Sequence, residues 1–69
     1  MTKCQITING QAKTILSPMN LKQLIEDFSR NTKHLIAECN GMIIKKVQWE
    51  QHVVQNGDTI ELVSLVGGG

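Results

Sequence analysis

Apolar and polar residues alternate over positions 3–9. Cys4, Ile6 and Ile8 share one face, and Lys3, Gln5 and Thr7 share the other, the period of a half-buried strand. Asn9-Gly10 follows at once, a pair suited to the positive φ that a tight type I′ turn demands. Positions 12–16 are therefore expected to return as the second strand of a hairpin, which Pro18 ends because it cannot donate to a sheet ladder. The period then changes. Leu21, Leu24, Ile25 and Phe28 fall at i, i+3, i+4 and i+7, while Lys22, Gln23, Glu26 and Asp27 face away from that stripe. Asn20 is a good N-cap, and Gln23 supplies the reciprocal half of a capping box. The helix is expected to fade over 29–31, which leaves about ten residues, too few to stand without packing on a sheet.

Alternation resumes at Leu35, Ala37 and Cys39; Asn40-Gly41 repeats the hairpin signal, and 42–44 returns. Positions 45–54 show no clean period, but Val47, Trp49 and Val54 are placed to plug the edge of a core as an irregular turn. Asn56-Gly57-Asp58 is a tight turn before a last strand over 59–66. The order ββαβ(β)β predicts an α+β fold: a mixed four- to five-stranded sheet with one helix across one face. The economical arrangement sets the first and last strands side by side and parallel in the middle, as in a β-grasp, or ubiquitin-like, fold. Residues 1–66 read as one domain, with a core of Ile6, Ile8, Leu21, Leu24, Ile25, Phe28, Leu35, Ile60 and Leu62, and 67–69 as a flexible glycine tail. If Ile60 and Leu62 face the helix, alternation puts Val63 and Leu65 on the open face beside that tail, as a candidate docking patch for a partner.

Composition narrows the function classes. A chain of 69 residues with a net charge of +1 offers a thin core and little room for a catalytic pocket. It has no basic stripe and only one Trp, one Phe and no Tyr, so nucleic acid is not an expected partner. No apolar run is long enough for a membrane span or a signal-peptide core, and a cytoplasmic location is expected. Cys4 and Cys39 lie far apart, without CxxC spacing or a neighbouring histidine, and read as reduced core thiols rather than as a disulfide or metal site. His34 falls in a polar loop; His52 reads as packing against Trp49 or bonding locally; and Trp49 itself reads as core before docking anchor.

The chain ends Val66-Gly67-Gly68-Gly69. Glycines after a last strand also occur at frayed termini, but residues without a Cβ adopt almost any φ/ψ and can thread a narrow channel into another protein. The terminal carboxylate then becomes a group presented on an arm. A carboxylate is a poor electrophile until ATP converts it to an acyl-adenylate, whose leaving group is good. Sulfur transfer onto that carbonyl yields a thiocarboxylate, and attack by a lysine yields an isopeptide bond. Both outcomes use the same tail.

Asn40-Gly41, Gln48-Trp49, the run from Gln51-His52-Val53-Val54 through Gln55-Asn56-Gly57-Asp58, and the end Val66-Gly67-Gly68-Gly69 resemble the sulfur-carrier family of thiamine biosynthesis, ThiS. The resemblance extends over essentially the whole chain. It implies a β-grasp carrier that is not itself an enzyme and holds no permanent cofactor or metal. It implies that Gly69 is the residue adenylated and converted to a thiocarboxylate, with Gly67 and Gly68 threading the partner's active site. Gly67 stands where relatives often have Ala. The implied partners are a ThiF-type adenylyltransferase, which uses ATP, a sulfur-donating protein, and thiazole synthase, ThiG, which receives the sulfur. The rival readings are the small subunit of molybdopterin synthase and a ubiquitin-like modifier joined to lysines; the stretch from Trp49 to Val54 favours the thiamine branch.

Overall fold

The computed structural model describes residues 2–65. Its elements are β1 (Thr2–Ile8), β2 (Gln11–Ser17), α1 (Leu21–Phe28), β3 (Leu35–Cys39), β4 (Met42–Ile44), a 3-10 turn (Lys46–Gln48) and β5 (Thr59–Ser64). One five-stranded sheet runs in the order β2-β1-β5-β3-β4. β1 and β5 are parallel, Thr7 beside Thr59 and Ile8 beside Ile60, while every other pairing is antiparallel. This is the β-grasp arrangement expected from the pattern.

Local chemistry accounts for the element ends. Asn9 and Asn40 take φ of 48° and 53°, and the glycines after them 81° and 85°, so both hairpins turn on two left-handed residues. The Asn20 side chain accepts from the Gln23 N–H at 2.8 Å, and the Gln23 side chain accepts from the Asn20 N–H at 3.0 Å. Ser29, extended at φ −141°, closes the helix at the start of the expected fade over 29–31.

α1 lays Leu21, Leu24 and Ile25, all fully buried, on a sheet face built from Cys4, Ile6, Ile8, Ile15, Ala37, Cys39, Ile60 and Leu62. Trp49 and Val54 close the side of this cluster, and the Trp49 indole N–H donates to the Ile44 carbonyl at 2.9 Å. Trp49 is thereby a core residue with a satisfied polar end. Three expectations fail here. Phe28 is 46% exposed: the short helix ends on it, and it overhangs the first hairpin near Gln11 and Lys13 instead of entering the core. Leu35, at the start of β3, is only partly buried. Val47 is 86% exposed, because the 3-10 turn points it outward while Trp49 fills the space.

A polar lock closes one end of the sheet. Asn40 accepts from the Thr59 N–H at 2.9 Å through Oδ1 and donates to Asp58 Oδ1 at 2.9 Å through its amide nitrogen. Asp58 Oδ2 accepts from the Gln55 N–H at 2.8 Å, so this buried carboxylate has both oxygens engaged. Beside it, Cys39 is pushed up to about 11 by burial, then by the negative charge of Asp58 and the hydrogen bond to it.

Two consequences are measurable. Leu24→Ala should lower unfolding free energy by about 2–5 kcal/mol, read by urea denaturation, with an unchanged midpoint contradicting its place at the centre of the core. The thiol of Cys39 ionises near 9 in the unfolded chain and near 11 in the fold, so its contribution is complete below pH 9 and is lost as pH rises towards 11. That loss should amount to up to about 2 kcal/mol. Cys39→Ala should lack this component, so denaturation of both proteins in chelator at rising pH should give a shallower decline for the variant.

Candidate functional site

The terminal glycines Gly67, Gly68 and Gly69, and Val66 before them, lie outside the described residues. The structure describes the strand that leads to them. β5 is held on one side by β3 along its whole length, from Cys39 beside Ile60 to Leu35 beside Ser64. On its other side β1 ends at Ile8, beside Ile60. The first hairpin turn then takes over: the Asn9 N–H donates to the Ile60 carbonyl at 2.9 Å, and Asn9 Oδ1 accepts from the Leu62 N–H at 2.8 Å. Beyond Leu62, among the described residues, only the β3 side is bonded, and the last such bond runs from the Leu65 N–H to the His34 carbonyl at 2.9 Å. The described residues thus end on a strand in the middle of the sheet, secured along one edge beyond Leu62.

The open face of the sheet is set by register. Val63 pairs with Ile36, Glu61 with Glu38, and Glu38 in turn with Ile43. Val63 and Leu65, the two residues expected there, are 52% and 67% exposed, and Ile43 is 64% exposed. Together with Ile36 they make an apolar surface at the root of the tail. Within it two glutamates stand directly opposite each other, an arrangement that costs stability in the free protein.

At the other end of β5 lies a second cluster. The ligand atoms of Cys39, His52 and Asp58 all lie within 4.8 Å of one another. Linear spacing puts no histidine near either cysteine; the fold corrects that by carrying His52 to the end of β3. The His52 backbone accepts from the Leu21 N–H at 2.8 Å and donates to the Trp49 carbonyl at 3.3 Å, which fixes its segment against the start of α1. Cys4 and Cys39 are both buried and free, as expected of core thiols, and His34 is exposed. This cluster is separated from the tail by about five residues of strand, roughly 17 Å. A shallow groove between α1 and the 3-10 turn, lined by Lys22, Glu26, Val47 and Trp49 among others, contains none of the candidate residues.

Among the described residues, the end of β5 offers a sheet with an apolar open face around Val63 and Leu65. The chain is 40% identical over 62 residues to an uncharacterised protein, ycf40, of Trieres chinensis, covering 90% of this chain and 85% of that one. It is 32% identical over 65 residues to the sulfur carrier protein ThiS of Escherichia coli, covering 94% and 98%. A thiazole synthase of Paramagnetospirillum magneticum is 28% identical over 65 residues, a stretch covering 94% of this chain and 20% of that protein. The crystal structure of the thiamine biosynthesis protein (ThiS) of Geobacter metallireducens superposes with a TM-score of 0.82 at 24% identity, over 94% of this chain and 99% of that one, and corroborates the fold. The ThiS family model matches residues 6–69, from the first strand through the terminal glycines, and the chain belongs to the ThiS family.

Proposed function

We propose that this protein is a cytoplasmic sulfur carrier of thiamine biosynthesis, acted on by partner enzymes rather than catalytic itself. The observation that carries the proposal is the ThiS family match, which runs through Gly67, Gly68 and Gly69. In this reading the Gly69 carboxylate attacks the α-phosphate of ATP in a ThiF-type adenylyltransferase and pyrophosphate leaves. The outer sulfur of a donor protein's persulfide then attacks the acyl carbon and AMP departs, giving an acyl disulfide. A second thiol attacks the donor's sulfur, breaks that S–S bond and releases the thiocarboxylate, leaving a disulfide behind. Thiazole synthase, ThiG, takes that sulfur for the thiazole ring; a segment similar to this chain within a protein named thiazole synthase supports that pairing.

The structure supports a division of labour. Gly67 and Gly68, lacking Cβ atoms, supply the slender arm. Val63 and Leu65, with Ile36 and Ile43 beside them, supply apolar area for docking at its root. The opposed Glu38 and Glu61 favour a partner with an arginine or lysine facing them. Docking fixes where the arm starts, and arm length fixes where the carboxylate ends.

Leu65→Glu should leave the fold intact and weaken binding to the adenylating enzyme by roughly tenfold or more, measured by calorimetry; unaltered affinity would remove this face from the docking surface. Deleting Gly69 leaves a Gly-Gly end but withdraws the carboxylate by up to ~3.5 Å. The shortened protein should fold and bind, yet form adenylate at least about a hundredfold more slowly. Pyrophosphate release with purified partner and ATP, checked by intact mass, gives the rate, and near-normal turnover would mean that Gly69 is not the required acceptor.

A further inference from the structure

We propose that Cys39, His52 and Asp58 form a binding site for a zinc-like divalent cation at the end of the sheet remote from the glycine tail. The ligand atoms of the three lie within 4.8 Å of one another. Donors bound tetrahedrally at about 2.0–2.3 Å stand roughly 3.3–3.8 Å apart, so closing the site asks for a shift of about an ångström. Cys39 is anchored on β3, and Asp58 is anchored by its two hydrogen bonds. His52 supplies the adjustment: its ring is half-buried, and its segment is held through backbone bonds that a change of side-chain rotamer leaves untouched.

The donor set decides the class of ion. One thiolate, one imidazole and one carboxylate suit Zn²⁺ or Co²⁺, whereas Mg²⁺ and Ca²⁺ prefer oxygen alone. Besides the bonds from Asn40 and Gln55, Asp58 accepts the Cys39 thiol hydrogen, and only that third bond is given up when the thiol ionises, so ligation need not break the bonds to Asn40 and Gln55. Those bonds orient the carboxylate, the role that surrounding groups commonly play at metal sites. Binding replaces the Cys39 thiol proton, which passes to solvent, and the thiolate charge that burial and Asp58 disfavour is then compensated by the cation. Three protein ligands leave a fourth tetrahedral position for water.

The elements joined are informative. Cys39 ends β3, Asp58 ends the turn into β5, and His52 belongs to the segment whose carbonyl caps the first N–H of α1. A bound ion would tie sheet to helix start, a structural role independent of sulfur transfer at the tail.

The test titrates the full-length protein with Co²⁺, and separately with Zn²⁺ in competition. Expected are one equivalent bound, the visible ligand-field bands of a tetrahedral site, a near-ultraviolet thiolate-to-cobalt band, and a higher melting temperature with Zn²⁺. Cys39→Ser should abolish the thiolate band, and Cys4→Ala should keep it. His52→Gln should weaken binding by at least about a hundredfold, since even outer partners of a metal site are worth 10–100-fold. Absence of saturable binding, a thiolate band surviving Cys39→Ser, or His52→Gln binding within about tenfold of the parent would each overturn the proposal. If Cys39→Ser fails to fold, His52→Gln decides alone, with circular dichroism confirming its fold.

Discussion

The parallel contact between β1 and β5 is the constraint on which the rest of this structure depends. It joins the first hairpin to the three strands β5-β3-β4 through two paired residues on each strand, Thr7 and Ile8 with Thr59 and Ile60. So brief a seam is reinforced by side chains of the turns around it. Asn9 reaches Leu62, Asn56 accepts from the Gln5 N–H at 2.8 Å, and Asn40 with Asp58 fixes the start of β5. Without the seam, the face that α1 covers would be divided between a two-stranded hairpin and the three strands β5-β3-β4, and Leu21, Leu24 and Ile25 would lose a continuous floor. The asparagines therefore do two jobs: their backbones make the tight turns, and their side chains join distant strands.

Much of this is legible in the sequence because the information is local. Positive φ at Asn-Gly, the capping box at Asn20 and Gln23, and the alternation of β1 and β5 all depend on neighbours within a few residues. The exposure of Val63 and Leu65 follows from parity along a single strand. What is not legible depends on partners distant in the chain. Cys39 and His52 meet because the irregular segment after β4 folds back beneath the sheet, a path that no period marks. Phe28 reads as core because the stripe continues to it, yet sheet coverage ends one turn before. Trp49 displaces Val47 for a reason of volume and hydrogen bonding that alternation does not record.

The facing glutamates on the open side express a different pressure. A sheet optimised for stability would place a lysine opposite Glu38 or Glu61, an exchange worth a few tenths of a kcal/mol to about 1 kcal/mol. Leaving both carboxylates there, between Ile36–Val63 on one side and Ile43 on the other, keeps a surface that is less content alone than in a complex. The apolar residues around the pair have the same property. Stability is concentrated on the helix side of the sheet, and on the opposite side Val63, Ile43 and Leu65 stay exposed.

The unequal bracing of β5 gives one strand two regimes of motion. Its first four residues sit between two partners or under the Asn9 side chain, so their amides should exchange with solvent chiefly when the whole fold opens. From Val63 onward one neighbour holds the backbone, and a local breath suffices. A partner that pulls on the terminus therefore does work against a few hydrogen bonds to β3 and is arrested at Leu62, before the strain reaches Ile60 and the helix. The strand would then act as a mechanical fuse, its outer end loosening while the fold behind it stays closed.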